Sequence, residues 1–290
     1  MAYRFLRFPG GRAKAVTFSY DDGVRHDLRL ADTLNRYGLK GTFNINNYSL
    51  FDVPESKLNA QELKTFLLDA GHEVAIHGAQ HRAPGKCTPI EGIRDVLDNR
   101  IALEQAFGRI IRGMAYPDTG ITSFDNGASY QSIRHYLKDL GIAYARTLGR
   151  DNNSFDLPTD WYAWMPTAHH SNPNLDAWMD EFLEMDMTNR YYAARGAKLF
   201  YIWGHSYEFH NADNWDLLEH ICRKLSGHED IWYATNIEIH DYVTAYHSLI
   251  FSADESRVYN PTLHTIWFDI NGKEFLVAPG QTLELAQERR

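Results

Sequence analysis

Cysteine is nearly missing from this chain: Cys87 and Cys222 are the only two among 290 residues. Two isolated thiols build neither a disulfide framework nor a zinc ribbon, so each reads as a small buried hydrophobe, a usage that fits a reducing compartment. No apolar run approaches the ~18 residues needed to span a bilayer. The opening stretch MAYRFLRFPGGRAKAV lacks the continuous apolar segment of a secretion signal. These absences give the expectation of a cytoplasmic protein with no membrane partner. Basic tracts are missing too. Lys and Arg number 29 against 38 Asp and Glu, a formal net charge of −9, which excludes an obvious nucleic-acid surface. No repeat or low-complexity segment stands out. What the chain does have is ordinary core material, 44% hydrophobic, together with 7 Trp and 17 Tyr. That aromatic content serves a core and equally suits a cleft that stacks on sugar rings.

Strand and helix signals alternate from the start. Lys14–Tyr20 is β-rich and runs into Asp21-Asp22-Gly23. His26–Tyr37 has helical spacing and stops at Gly38. Lys40–Asn46 reads as a second strand and Glu73–Ile76 as a third, separated by a helix with a capping-box pair at Asn59 and Glu62. The clearest helix starts at Thr88, with Pro89 in its first turn and Glu91 as capping partner, and ends at Gly108. Further strands are expected over Arg109–Tyr116, Ile142–Ala145, Leu199–Trp203 and Ile231–Ala234. Helices are expected over Tyr130–Leu140, Trp215–Leu225 and Ile237–Ser248. About seven β/α repeats imply a parallel sheet wrapped by helices, an α/β barrel. The tail differs: Ile266, Phe268 and Ile270 alternate with other positions, and Asn271-Gly272 signals a tight hairpin. The division expected is therefore a barrel over residues 1–255 and a small antiparallel β appendage over 256–290.

Polar residues collect at the C-terminal ends of these strands, the face where β/α barrels build active sites. Asp21 and Asp22 follow the first strand, His77 and His81 the third, Asp118 the fourth and His205 the sixth. His77 and His81 are spaced i, i+4, so one helical turn would put both imidazoles on one side. Two imidazoles and the Asp22 carboxylate make an open divalent-metal site. Asp21, pointing another way, can take a proton from a water that the metal acidifies, and His205 can protonate the departing amine or alkoxide. Either motif alone has a bland reading, a chance HxxxH or an Asp-rich turn. Their joint placement at strand ends carries the signal.

TFSYDDG at 17–23, HGAQH at 77–81, AYPDTG at 115–120, DLPTDW at 156–161 and LFYIWGH at 199–205 fall in the order of the five motifs of the polysaccharide deacetylases, carbohydrate esterase family 4. The chain resembles that family over roughly residues 12–250. The resemblance implies a distorted (β/α)7 barrel and a catalytic base at Asp21. It implies metal ligands at Asp22, His77 and His81 and a general acid at His205. The metal is expected to be zinc, with cobalt, nickel or manganese as alternatives. The third motif departs from the family pattern. Ala115 stands where an arginine usually pairs with the base, so Asp21 is expected to lack a cationic neighbour and to depend on the metal and on hydrogen bonds. Arg112 is not promoted to that role. The backbone near Asp118 is a candidate oxyanion donor. In the loose fourth motif Asp160 is expected to orient His205 and Trp161 to wall the cleft, against the plainer reading of a helix cap and a core tryptophan. His169 and Glu208 are candidate substrate contacts.

The activity these residues imply is hydrolytic removal of acetyl groups from N- or O-acetylated sugars or oligosaccharides. The alternative is a hydrolase of a non-sugar amide or cyclic imide on the same fold, which the missing arginine would suit. A third reading is a carbohydrate-binding pseudo-enzyme. An acetylated carbohydrate is the expected partner, with self-association left open.

Overall fold

The computed structural model describes residues 3–50, 55–147, 154–188 and 195–285. Fourteen strands are described there: β1 (Arg4–Arg7), β2 (Lys14–Asp21), β3 (Gly41–Ile45), β4 (Glu73–Ile76), β5 (Gly113–Ala115), β6 (Tyr144–Arg146), β7 (Ala168–His169), β8 (Lys198–Gly204), β9 (Ile231–Tyr233), β10 (Ile250–Phe251), β11 (Arg257–Tyr259), β12 (Ile266–Ile270), β13 (Lys273–Val277) and β14 (Thr282–Glu284). The α-helices are α1 (Asp27–Arg36), α2 (Ala60–Leu63), α3 (Pro89–Phe107), α4 (Tyr130–Asp139), α5 (Leu175–Glu184), α6 (Ser206–Asn211), α7 (Trp215–Leu225) and α8 (Asn236–His247).

β2 is central because it is buried along its whole length. A strand covered on both faces belongs in a parallel sheet, and the pairings are parallel throughout. The order is β6-β5-β4-β3-β2-β8-β7, with β9 also against the first half of β2. The segment from Trp164 to His169 pairs at its start with β6, through a parallel bridge Arg146↔Trp164, and at its end with β8. It thereby joins the two edges of the sheet and curls it into the expected distorted seven-stranded barrel. β12 and β13 form the hairpin around Asn271-Gly272, both residues at positive φ as a type I′ turn needs. That hairpin is completed by β1, antiparallel to β12, while β10, β11 and β14 form a second small sheet.

The described elements follow the sequence periodicity closely, and the differences have local causes. β5 is only Gly113–Ala115, because Ile110 is exposed and Arg112 turns out to pair with Asp241. β6 runs one residue past the expected end, to Arg146. α3 keeps its Thr88 cap, where the Glu91 carboxylate accepts from the Thr88 N–H, and ends at Gly108 in the left-handed region. Its inner face is less apolar than its sequence suggests. Ile101 is exposed, while Asp95 and Asn99 point inward to the loop after β4.

Candidate active site and metal centre

Asp21 is the last residue of β2 and is buried. Both its oxygens are held: Oδ1 accepts from Asn44 Nδ2 at 2.8 Å and Oδ2 from Arg146 Nη2 at 2.5 Å. The expectation of an acid without a cationic neighbour is thus corrected. The cation comes from β6, not β5, and Ala115 and Arg146 are register partners on those strands. Register partners in a sheet present their side chains on the same face ~4.8 Å apart, so the arginine has moved sideways by one strand. Arg146 is completely buried, and its guanidinium carbon lies 4.7 Å from the Trp203 ring centre. Burial opposes ionisation of Asp21, but Arg146, His77 and His205 outweigh it and hold the carboxyl below its ordinary range.

Asp22 follows in the left-handed region, φ +84°, with its N–H bonded to the Asn44 carbonyl at 3.0 Å. That twist sends its carboxylate away from Asp21 and toward the loop after β4. His77 and His81 meet it there, but not through a helical turn. Gly78 (φ +71°) and His81 (φ +53°) bend the loop instead. Gly78 is required twice over, since a Cβ on it would come 2.3 Å from an Asp95 carboxylate oxygen. Asp95 in turn accepts from the Gln80 N–H, and Asn99 from the His77 N–H at 2.9 Å. These two α3 residues fix the loop's path. His77 Nδ1 bonds the Ala115 carbonyl at 3.0 Å, which sets the proton on Nδ1 and leaves Nε2 as a lone-pair donor. Burial holds His77 below its ordinary pKa despite the nearby Asp21 and Asp22 carboxylates. Asp22 Oδ1 lies 3.4 Å from His81 Nε2 and 3.9 Å from His77 Nε2. Bond lengths of ~2.0–2.1 Å around a tetrahedral ion imply ligand-to-ligand spacings of about 3.4 Å, so this donor set fits a divalent cation in number, type and spacing.

His205 stands just beyond β8, with Nε2 3.9 Å from Asp21 Oδ2. Its Nδ1 meets Glu208 Oε1 at 3.3 Å, and the Glu208 carboxylate also accepts from the His205 backbone N–H at 3.1 Å. Burial lowers the His205 pKa, yet Glu208, Asp21 and Asp22 raise it further, leaving it above the ordinary histidine value. The expected orienting partner, Asp160, is elsewhere. Its carboxylate caps the short turn Trp161–Ala163 through the Tyr162 N–H and accepts from the Tyr130 hydroxyl at 2.5 Å. Trp161 packs edge-on against Trp164 and His240, so no cleft wall is formed by it. The helix-cap reading of that pair is the one the geometry follows. Glu208 takes the orienting place through the capping-box spacing of α6, a signal present in the sequence as His205-x-x-Glu208.

His169 and Glu208 are brought together, His169 Nε2 lying 3.1 Å from Glu208 Oε2. Asp118 is exposed at φ +49° on the turn closed by Gly120 N–H to Pro117 O. Its side chain has no hydrogen bond among the described residues. Tyr207 lies beside His205, ring centres 5.0 Å apart, and burial with the nearby Asp22 and Glu208 charges pushes its phenol up to about 12. Arg146, Asn44, Asn99 and Asp95 were not anticipated as site residues. The first two lie where strand-end reasoning could have found them; the last two sit on a helix whose pattern read as apolar.

Residues 9–145 match the family model for polysaccharide deacetylase. No curated protein sequence matches the chain. Among solved structures, a Mycobacterium smegmatis protein assigned as a polysaccharide deacetylase aligns at TM-score 0.55 and 17% identity, covering 85% of this chain and 96% of that one. Puue allantoinase aligns at TM-score 0.58 and 13% identity, covering 83% and 93%. At such identities the likeness is one of fold. The matched span holds the Asp21-Asp22 and His77–His81 motifs on the strand ends just described, so over residues 9–145 the chain is similar to polysaccharide deacetylases.

Proposed function

We propose that the protein hydrolyses acetyl groups from N- or O-acetylated sugars or oligosaccharides, with a divalent metal, zinc first, held by Asp22, His77 and His81. The observation that carries this reading is the geometry of a carboxylate and an imidazole that face each other beside the Asp22–His77–His81 cluster. Arg146 favours the ionised Asp21 carboxylate, while Glu208 favours the protonated form of His205, 3.9 Å away. Two titratable groups pushed apart in this way are suited to be base and acid of one reaction. A divalent ion, when bound, supplies Lewis-acid polarisation of the acyl oxygen and acidifies a water. Asp21 Oδ2 takes the proton of the attacking water. His205 Nε2 gives its proton to the departing nitrogen or oxygen, and Glu208 keeps that nitrogen aimed at the site. Trp203 and Tyr207 flank the two groups and can meet a sugar ring.

The test is acetate release from a panel of N-acetylated oligosaccharides and O-acetylated xylosides by the zinc-loaded protein. Activity lost at least ~100-fold in both Asp21→Asn and His205→Ala is expected, in line with general acid–base catalysis. A ring-opened acid from cyclic imides with no acetate from any sugar would move the substrate to the alternative class. An Asp21→Asn variant equal to wild type would leave only a binding protein.

A further inference from the structure

His170 is buried just after β7 and belongs to no step described above. Its ring is stacked on Phe209, centres 4.0 Å apart, and lies parallel to Tyr20 at 5.8 Å. It fits there because residue 204 is glycine; a Cβ at that position would come 2.1 Å from His170 Nδ1. The locked ring points Nε2 at Glu208 Oε2, 3.2 Å away, and His169 Nε2 reaches the same oxygen at 3.1 Å. These atoms lie within 4.8 Å of one another, a convergence otherwise seen only at Asp22, His77 and His81 among the described residues.

We propose that His169, His170 and Glu208 form a second divalent-metal site, separate from the Asp22–His77–His81 site. The donor set of two imidazoles and one carboxylate selects zinc or a neighbouring transition ion over magnesium or calcium, which favour oxygen. The spacings of 3.1 and 3.2 Å lie slightly inside the ~3.4 Å edge of a tetrahedral zinc site. These two spacings need to open by only a few tenths of an ångström. His170 is buried and its ring is fixed by stacking on Phe209, so its Nε2 is held in place for a ligand role. Glu208 Oε2 faces the two imidazoles and also accepts from the His205 backbone N–H, while Oε1 faces His205 Nδ1. One carboxylate can thus ligate on one side and orient the general acid on the other, the usual way outer groups are tied to a metal. His169 and Glu208 are partly exposed, 19% and 33% for their side chains, which leaves a route of entry and room for water as a fourth ligand.

This inference stands independently of the deacetylase reading, and zinc stoichiometry tests both separately. The full chain is stripped with chelator, re-equilibrated with zinc alone and measured by elemental analysis, with circular dichroism as the folding check. Two zinc ions per chain are expected for wild type and one for His77→Ala/His81→Ala. One is also expected for His169→Ala and for Glu208→Gln, a pair of milder changes than altering the buried His170. Wild type saturating at one ion that His77→Ala/His81→Ala removes would overturn the second site and leave the first. One ion that survives His77→Ala/His81→Ala but not Glu208→Gln would support the second site and sink the first. Two ions retained in both His169→Ala and Glu208→Gln would overturn it outright.

Discussion

Replacing Arg146 by Met tests how Asp21, the proposed base, is kept ionised. The guanidinium is wholly buried and gives Asp21 its shortest contact, 2.5 Å. Met fills much of the same volume, so the main loss is charge. Removing one partner of a buried pair leaves the other uncompensated, at a cost of ~3–5 kcal/mol. At roughly 2–3 °C per kcal/mol for a domain of this size, the midpoint of thermal unfolding should fall by roughly 6–15 °C. Asp21 would also bind its proton more readily, so the acid limb of kcat/KM should move to higher pH. Thermal scans and pH–rate profiles on acetylated oligosaccharides read the two effects. A double variant, Arg146→Met with Asp21→Asn, separates charge from packing. With no carboxylate left to strand, it should be more stable than Arg146→Met alone, though inactive. An unmoved acid limb together with a double variant no more stable than the single would refute the reasoning.

Two further outcomes follow from other charged groups. Glu208→Gln keeps an acceptor near His205 but removes the charge that raises its pKa, so the alkaline limb of kcat/KM should move to lower pH; an unchanged limb would remove Glu208 from the acid's environment. Glu73 is buried at the start of β4, bonded by Thr42 and Tyr144 hydroxyls and the Ile237 N–H, and burial raises its pKa from 4.5 to about 7. A carboxyl raised on folding contributes stability that is full below its unfolded value and lost as pH climbs through the folded one. Between pH 5 and 8 wild type should therefore lose about 2.5 kcal/mol that Glu73→Gln does not, read by urea denaturation at both pH values. Parallel pH dependences in the two proteins would show that Glu73 titrates normally.

Much of the barrel was legible because parallel strands and their helices leave periodic, local traces: the Thr88–Glu91 cap, the Gly108 stop and the Asn271-Gly272 turn each act within a few residues. The i, i+4 pair His77 and His81 was legible as a pair, but its cause was not. Their meeting depends on a loop bent at Gly78 and pinned by Asp95 and Asn99, residues that are neighbours only after folding. The Arg146–Asp21 contact was hidden for a related reason. The two residues are 125 positions apart, and the strand signal through Ala145 fades just before the residue that matters. Asp160 misled because a tight Asx-type cap and an orienting carboxylate look the same in a linear sequence. Glu208 had a signal in the capping-box spacing, but nothing local tells whether such a glutamate serves only a helix end or also a neighbouring imidazole.

The pairing of β1 with β12 has a consequence for how the molecule comes into being. Arg4 lies opposite Ile270, 266 residues later in the chain. At a synthesis rate of ~5–20 residues per second, the partner of that strand emerges roughly 13–53 s after it. For that interval Phe5 and its neighbours present an unmet strand edge, while the barrel strands between them already have partners at hand. That sheet therefore closes late in translation, followed by the pairing of β14 with β11. Chaperone contacts early in synthesis should concentrate on this first strand.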